Sequence, residues 1–478
     1  MIVRDLAPVD GHEAARRLAD LPGLVFLDSA MRPESLGIHA RLGRWSFVAA
    51  DPWTTLTVRD GRAHRDGVAL AGAPLDELRR LVGCDADVRV APGTPFVGGA
   101  IGYVAYDFGR RLEHLPEPAE VEPVPEMVFG FYDTFVALDH QEGRARLIST
   151  GRPETGGDAR RRRAQARAEA FLMRLERPAG RAAGPVRRLD FRPTIAREVH
   201  EARVAAAIEH VLAGDIFQVN LAQRFVAPLP EGFDALAFHG RLRAINPAPF
   251  SAYLDFGEVR IASSSPERFL AMRDGLIEAR PIKGTARRAE DAKEDALAAA
   301  RLATSEKDRA ENIMIVDLMR NDLSRVCTDD SIAVPVLCGI ESYAGIHHLV
   351  SVVTGRAASG RDAIDVLAAT FPGGSITGAP KIRAQEIITA LEGHGRGVYC
   401  GAIGWIGHDG AMDLDIAIRT VVFRAGEATF SVGGGITALS DPAAEYEETL
   451  TKAARILEAA AGEAEAADPA PRRREATA

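Results

Sequence analysis

The spacing of apolar residues divides the chain into regions of different predicted structure. In residues 22–150, short apolar runs such as Leu24–Leu27 and Trp45–Ala49 alternate with Gly, Pro and Asp, a pattern typical of strands joined by turns. Residues 193–460 alternate amphipathic helical stretches with strands. The pattern therefore predicts mixed α and β structure, with a β-rich N-terminal region over 1–150 and an α/β region over 193–460.

Two further segments differ from these regions in composition. Residues 151–192 are rich in arginine, and a helix is predicted near 158–176. Because Glu and Ala are interspersed with the arginines, we interpret this segment as a connection with a solvated helix rather than an RNA-binding arm. Residues 461–478 are polar and contain proline, which predicts a disordered tail.

The bulk composition disfavours several classes of protein. The 478 residues carry 58 basic and 67 acidic side chains, a formal charge of -9, so nucleic acid is not expected as the main partner. No apolar run approaches the roughly 20 residues of a membrane-spanning helix, and the charged N-terminus does not resemble a signal peptide. The four cysteines are widely spaced, without a zinc-binding pattern. We therefore expect a cytoplasmic protein with reduced thiols and no membrane association.

Lysine is rare in this chain, so the positions that retain it are of interest. Only five of the 58 basic residues are lysine, a skew that a preference for arginine codons explains. Arginine stays protonated, however, whereas a desolvated lysine can lose its proton and act as a base or nucleophile. The candidates for a role that arginine cannot fill are Lys283, Lys293, Lys307, Lys381 and Lys452.

Two glycine-rich segments resemble nucleotide-binding motifs without matching them. VGGAIGYVAYD (97–107) lacks the G-x-G-x-x-G spacing, and FPGGSITGAPK (371–381) lacks the Gly-Lys-Ser/Thr end of a phosphate loop. The second segment carries the hydroxyls of Ser375 and Thr377 just before a predicted helix, where backbone amides can receive an anion. A plain turn explains the same residues equally well.

A glycine run followed by a helix, in residues 432–460, has features of a ligand site. Gly433–Gly435 allow backbone amides to approach a ligand closely. On the helix, Glu445, Glu448 and Lys452 fall on one side, opposite an apolar face. A solvated surface with i,i+4 ion pairing accounts for the same spacing, so both interpretations remain open at this point.

Asp308 and Glu311 form a second acidic pair, at i and i+3 of the helix predicted in residues 305–326. Two helices that each present two carboxylates can face each other across one cation. Oxygen ligands without His or Cys suit Mg²⁺, which retains waters and takes an oxygen from the substrate. The two acidic pairs together therefore predict magnesium as a cofactor.

Lys283 lies between a β-prone apolar run and a Gly-Thr turn in ARPIKGTARR, sixteen residues after Glu267. A lysine desolvated at a strand end has a lowered pKa and becomes a nucleophile. A neighbouring carboxyl group can protonate a leaving hydroxyl. The alternative is an ordinary edge lysine beside a surface carboxylate.

In combination and in order, these motifs resemble those of the chorismate-utilising enzymes, over roughly residues 22–457. That family includes anthranilate synthase component I, aminodeoxychorismate synthase component I, isochorismate synthase and salicylate synthase. The resemblance implies an α+β fold, in which two β-sheets pack as a sandwich with helices outside and the site between the sheets. The segments that carry it are SSSPERF, PIKGT, ENIMIVDLMRNDL, HHLVS, GSITGAPK, YCGAIGW, DIAIRT and GGGIT…EYEETLTKA.

The resemblance also implies roles for individual residues. The metal would hold the ring carboxylate of chorismate, and the residues that match its ligands, principal ones first, are Glu311, Glu448, Asp308 and Glu445. The residues that match catalytic positions are Lys283, Glu267 and His348. The residues that match substrate-binding positions are Ser375, where the family often has threonine, Tyr399, Arg419, Gly433, Gly434, Gly435 and Lys452.

Lys283 separates the members of this family. In this segment, anthranilate synthases typically have a sequence similar to PIAGT, whereas aminodeoxychorismate synthases have PIKGT. The resemblance therefore implies that Lys283 attacks C2 of chorismate while Glu267 protonates the departing 4-hydroxyl, after which ammonia adds at C4. The expected product is 4-amino-4-deoxychorismate, a precursor of 4-aminobenzoate and folate. The alternatives are anthranilate synthase component I and, in a different class, a catalytically silent partner of a glutaminase.

The ammonia is expected to come from another protein. The sequence contains no Cys with a partner His in a glutaminase arrangement, which implies a separate glutamine amidotransferase subunit. In the family, the half that corresponds to 1–150 carries a tryptophan site. LDSA (27–30) departs from the usual LLES there, so regulation by tryptophan is not expected.

Overall fold

The computed structural model describes residues 1–31, 42–83, 93–177, 186–343 and 345–462. Within these ranges the chain forms two antiparallel β-sheets of twelve strands each. Nearly all of the predicted disordered tail, and Cys84, lie outside the described residues. None of the helices in these ranges combines the length and apolarity needed to span a bilayer. The three described cysteines are buried and free, as expected for reduced thiols.

The N-terminal part is rich in strands, as its short apolar runs predict. The strands described up to residue 150 are β1 (Ile2–Leu6), β2 (Val25–Asp28), β3 (Trp45–Ala49), β4 (Thr54–Arg59), β5 (Arg62–Arg65), β6 (Val68–Ala69), β7 (Gly99–Val104), β8 (Met127–Tyr132), β9 (Thr134–Asp139) and β10 (Arg144–Ser149).

The later part alternates strands with helices. Its described strands are β11 (Arg192–Pro193), β12 (Gln218–Pro228), β13 (Phe250–Asp255), β14 (Arg260–Ser265), β15 (Arg268–Arg273), β16 (Leu276–Ala279), β17 (Ile282–Arg287), β18 (Ala333–Ser342), β19 (Ile346–Arg356), β20 (Gly378–Ala379), β21 (Ala402–Gly407), β22 (Met412–Ile416), β23 (Thr420–Arg424) and β24 (Glu427–Ile436).

Some of the helices begin at residues that suit helix starts. Asp441 caps the last helix by accepting from the Ala444 amide, and Pro442 follows it. The arginine-rich segment contains a helix, as predicted. The described helices are α1 (Gly11–Arg17), α2 (Pro74–Val82), α3 (Gly157–Leu175), α4 (Arg197–Leu212), α5 (Ala235–Ile245), α6 (Ala292–Thr304), α7 (Glu306–Ser324), α8 (Ala363–Thr370), α9 (Lys381–Glu392) and α10 (Pro442–Ala460).

Both sheets combine early and late parts of the chain. The first sheet has the strand order β1-β10-β9-β3-β2-β13-β14-β23-β24-β12-β11, with β20 beside β12. The second has the order β17-β19-β16-β15-β22-β21-β7-β8-β4-β5-β6, with β18 beside β19. Each sheet thus contains strands from before residue 150 and from after residue 192. The domain boundaries proposed from composition stay predictions.

The three largest apolar clusters among the described residues fill spaces between the layers. The facing sides of the two sheets meet in one cluster, which includes Phe47 and Phe135 of the first sheet and Tyr103 and Trp405 of the second. The outer side of the first sheet packs against α1, α3, α5 and α10. The outer side of the second packs against α2, α7 and α8. The predicted α+β sandwich with helices outside is therefore confirmed.

Phe423 provides a test of this packing. Its fully buried ring on β23 contacts Phe233 and Phe238 at centroid distances of 5.4 and 5.3 Å. Phe423→Ala should lower the free energy of unfolding by about 3–5 kcal/mol, because it removes buried area and leaves a cavity. Urea denaturation followed by fluorescence measures the change. Phe217→Ala is the control, since the Phe217 side chain is 71% exposed; an equal loss in both variants would contradict the assignment.

Candidate active site

Two crossings of the chain between the sheets place a carboxyl group near a guanidinium. Glu267 lies between β14 of the first sheet and β15 of the second, and Arg419 lies between β22 of the second and β23 of the first. Glu267 is only 5% exposed. Burial raises the pKa of its carboxyl group, and the Ser375 hydroxyl, Lys283 and Arg419 oppose this shift only in part. Glu267 can therefore hold a proton at a higher pH than an exposed glutamate.

Arg419 is held in an unusual environment for a cation. Its φ is 52°, a left-handed conformation that costs energy in a residue other than glycine and that recurs at functional sites. Burial lowers its pKa, and among the described residues Glu267 is the one carboxylate whose charge opposes that effect. A half-buried guanidinium with so little compensating charge is suited to receive an anionic ligand.

Lys283, on β17, faces the same space. Its Nζ donates a hydrogen bond to the backbone oxygen of Ser375 at 2.9 Å. Burial lowers the pKa of its ammonium group, against the opposing charges of Glu311 and Glu267. More of Lys283 is therefore neutral at a given pH than of an exposed lysine. The structure thus brings together the lysine and the carboxyl group that the sequence singled out; their catalytic roles stay predictions.

The acidic residues of α7 and α10 lie within electrostatic reach of one another. Lys307 Nζ on α7 is 4.0 Å from Glu445 Oε1 on α10. Burial raises the pKa of Glu311, and the charges of Asp308 and Glu445 raise it further, while Lys283 and Lys307 lower it in part. The pKa of Glu445 is also raised, by burial first and by the charge of Glu448. The carboxylates of the two helices therefore repel each other.

Lys452 connects α10 with the glycine run of β24. Its Nζ lies 2.7 Å from Glu448 Oε1 and donates to the Gly433 oxygen at 2.8 Å. Burial alone would raise the pKa of Glu448, but Lys452 and other lysines hold it below its usual value. A Cβ on Gly434 would stand 3.1 Å from Glu445 Oε2 and 3.4 Å from Glu448 Oε1. The strand thus approaches the carboxylates as closely as it does because position 434 is glycine.

The other two glycines of the run lie against the neighbouring strand β12. A Cβ on Gly433 would collide with the backbone oxygen of Leu221, and one on Gly435 would collide with the amide of Gln218. The first collision is with the backbone of β12, which pairs with β24 along this stretch, so Gly433 could carry a side chain only if the strands moved apart. The second is with the end of the Gln218 side chain.

A divalent cation fits the chemistry of these donors. Within the described ranges, no group of three or more His, Cys, Asp or Glu side chains is arranged so that it could hold a metal ion. The four carboxylates nevertheless offer only oxygen ligands, and their mutual repulsion is what a divalent cation would relieve. Lys307 and Lys452 supply the positive charge among them instead. A magnesium site at these residues stays a prediction.

His348 and Tyr399 are buried in the same region. Burial lowers the pKa of His348 to about 3, with a further contribution from Arg419, so its imidazole is neutral at physiological pH. Its Nδ1 lies 2.9 Å from the Thr285 hydroxyl. Tyr399 is also buried, and its ring lies 5.7 Å from the guanidinium carbon of Arg396. Both side chains are thus fixed by packing before any ligand binds.

Sequence reasoning missed Arg396 and left Lys381 unassigned. Lys381 Nζ donates to Asp322 Oδ2 at 2.6 Å and to the Thr370 oxygen at 2.7 Å, so it joins α9 to α7. Arg396 forms a buried ion pair with Glu392. The i,i+4 spacing of Glu392 and Arg396 was the available signal, but that spacing is equally common on exposed helix surfaces.

Comparison with known proteins places these residues in a family context. The model of the chorismate binding enzyme family matches residues 35–458. Aminodeoxychorismate synthase component 1 of Klebsiella aerogenes is 42% identical over 426 residues, which cover 88% of this chain and 90% of that protein. Anthranilate synthase component 1 of Mycobacterium tuberculosis is 37% identical over 470 residues, or 94% and 90% of the two chains. The crystal structure of anthranilate synthase component I from Streptococcus pneumoniae matches with a TM-score of 0.78 at 34% identity, covering 86% of this chain and 91% of that one.

The environment of Lys283 predicts selective reactivity. At pH 8, Lys283 should be acetylated by a limiting amount of acetic anhydride faster than its exposure alone suggests, because its lowered pKa leaves more neutral amine. Peptide mass spectrometry over a pH series measures its apparent pKa, with Lys293 as the internal reference. Glu311→Gln removes a charge that favours the ammonium form, so the apparent pKa of Lys283 should fall further. A rise in that variant would contradict the assignment.

Proposed function

Because the chain belongs to the family of chorismate-binding enzymes, we propose that it converts chorismate and ammonia to 4-amino-4-deoxychorismate. The observation that carries this proposal is the desolvated amine of Lys283, held in PIKGT between Glu267 and the Ser375 turn. The identities of 40–42% with relatives named aminodeoxychorismate synthase component 1 support it. The product would serve the synthesis of 4-aminobenzoate and folate.

The first step is a covalent substitution on the ring. Neutral Lys283 Nζ forms a bond to C2 of chorismate, the two ring double bonds shift, and the C4–oxygen bond breaks. Glu267 gives its proton to the departing hydroxyl, which leaves as water. The raised pKa of Glu267 and the lowered pKa of Lys283 suit these roles, because each shift favours the protonation state that the step requires.

The second step reverses the first with a different nucleophile. Ammonia forms a bond to C4, the double bonds shift back, and the C2–Nζ bond breaks. One proton of the added ammonium returns to the site, so that chorismate and ammonia give 4-amino-4-deoxychorismate and water. The lysine route divides one difficult substitution into two easier ones.

Two sets of groups would bind the two carboxylates of the substrate. Arg419, Tyr399 and the amides of the glycine run would receive one of them. Glu311 and Glu448, with Asp308 and Glu445, would hold Mg²⁺ beside the other. A bound Mg²⁺ would neutralise that carboxylate and the repulsion between α7 and α10.

A separate glutamine amidotransferase would supply the ammonia. The relatives carry the name component 1, which supports a second component. Anthranilate synthase component I is the second candidate for the activity, because relatives with that name are 37% identical. The lysine at position 283 favours the first candidate, since an amine at this point serves attack on C2.

Lys283→Ala tests the covalent route. With chorismate, Mg²⁺ and ammonium chloride, the wild type should form a product that yields 4-aminobenzoate only after a lyase is added. In Lys283→Ala, kcat should fall by about 10²-fold or more, because the variant has no group to attack C2. Lys293→Ala, which changes an exposed lysine, should match the wild type. Fluorescent anthranilate and pyruvate as the wild-type products would refute 4-amination, and full activity of Lys283→Ala would refute the covalent step.

Glu311→Gln tests the metal site without reference to turnover. Calorimetry should detect Mg²⁺ binding to the wild type and a loss of affinity of about 10-fold or more in Glu311→Gln. The pKa of Glu311 is raised by folding, so its charge costs stability above that pKa. The metal-free variant should therefore be at least as heat-stable as the wild type at pH 7.5. Glu306→Gln, on the exposed first turn of α7, is the control. Equal Mg²⁺ affinity in Glu311→Gln would remove Glu311 from the site.

A further inference from the structure

A single guanidinium connects three segments behind the candidate active site. Arg396 Nη1 donates to the Ile376 oxygen at 3.0 Å, and Nη2 donates to the Asn220 oxygen at 2.8 Å. Its Nε and Nη2 form a two-pronged ion pair with Glu392, at 2.9 and 2.6 Å. The exposed fractions of the two side chains are 1% and 0%. Arg396 thus joins the glycine-rich turn, β12 and the end of α9.

The same guanidinium lies close to two aromatic rings. Its central carbon is 4.8 Å from the centroid of Tyr106 and 5.7 Å from that of Tyr399, distances suited to cation–π attraction. Glu392 in turn accepts a hydrogen bond from the Ala222 amide at 2.9 Å. The position of Tyr399 is therefore coupled to the same ion pair that fixes the turn.

The turn that Arg396 fixes holds the nucleophile. Ile376, whose oxygen accepts from Arg396, directly follows Ser375, whose oxygen accepts from Lys283 Nζ at 2.9 Å. A hydrogen bond from the Ser375 hydroxyl also lowers the pKa of the Glu267 carboxyl group in part. A shift of this turn would therefore move two groups together: the Ser375 oxygen, which accepts from Lys283, and the Ser375 hydroxyl beside Glu267.

We propose that Arg396, with Glu392 as its counter-ion, is a positioning residue for amination, which sets the Ser375 turn against Lys283 and Glu267 and supports Tyr399. This inference rests on the proposed function. Arg396 touches none of the reacting atoms and acts through the turn. Errors of about 1 Å in the placement of reacting groups cost on the order of 10²-fold in rate, so a remote side chain can control the chemical step.

Arginine is required because the contacts need a planar fork. Lysine carries the same charge but ends in one ammonium group, which cannot reach Ile376, Asn220 and both oxygens of Glu392 at once. Arg396→Lys therefore keeps a cation beside Glu392 while it releases the turn. Glu392→Gln keeps the shape of the acceptor but removes its charge, so it weakens the same fork by a different route.

The experiment compares Arg396→Lys and Glu392→Gln with the wild type in steady-state kinetics and in acetylation of Lys283 without substrate. We expect kcat to fall by about 10-fold or more and KM to change by less than about threefold. The loosened turn admits water, so the apparent pKa of Lys283 should rise and its acetylation at pH 8 should slow relative to Lys293.

A matched control separates positioning from general stability. Arg243→Lys changes an arginine of α5 that is paired with a buried carboxylate but is itself more exposed than Arg396; its Nε donates to Asp28 Oδ2 at 2.8 Å. It should leave kcat and Lys283 acetylation unchanged even where it lowers the thermal midpoint. The proposal would be overturned if Arg396→Lys folds and keeps the wild-type kcat and the wild-type rate of Lys283 acetylation. If Arg396→Lys does not fold, the same result in Glu392→Gln would overturn it. Acetylation needs no substrate, so a failure of 4-amination in the wild type is distinguishable from a failure of this inference.

Discussion

The withdrawal of charged groups from water, where the two sheets meet, is the constraint on which the site depends. Burial is the largest cause of the pKa shift at Lys283, Glu267, Glu311, Arg419 and His348. It disfavours the charged form in each case, so it pushes acids toward their protonated forms and bases toward their neutral forms. A single physical effect thus shifts Glu267 toward its protonated acid and Lys283 toward its neutral amine, the forms that the proposed amination needs.

The architecture explains how so many charges can be buried without loss of the fold. Glu267 and Arg419 lie on segments that cross between the sheets, and crossing segments are anchored at both ends by paired strands. The energy lost by burying charge is offset by the apolar clusters on both sides of each sheet. The strain of Arg419, with its φ of 52°, is tolerated for the same reason.

The sequence by itself predicted mixed α and β structure, and the sandwich followed from the resemblance of its motifs to a known family. The groups of the candidate site could be proposed because they belong to local motifs. PIKGT, the two acidic pairs and the glycine run could each be located without coordinates. The contact between Lys283 Nζ and the Ser375 oxygen could not, because a backbone acceptor has no signature in the sequence. The pair of Glu392 and Arg396 was missed for a related reason: its i,i+4 spacing is visible, but the burial that makes it important depends on tertiary packing.

Burial affects the charge of lysine and arginine side chains differently. The pKa of a guanidinium that is withdrawn from water remains far above neutrality, so Arg419 and Arg396 stay cations. The amine of Lys283 loses its proton more readily in the same surroundings, and only a neutral amine can form a bond to carbon. Only five of the 58 basic side chains of this chain are lysine. At position 283 an arginine could supply the positive charge but not a neutral amine.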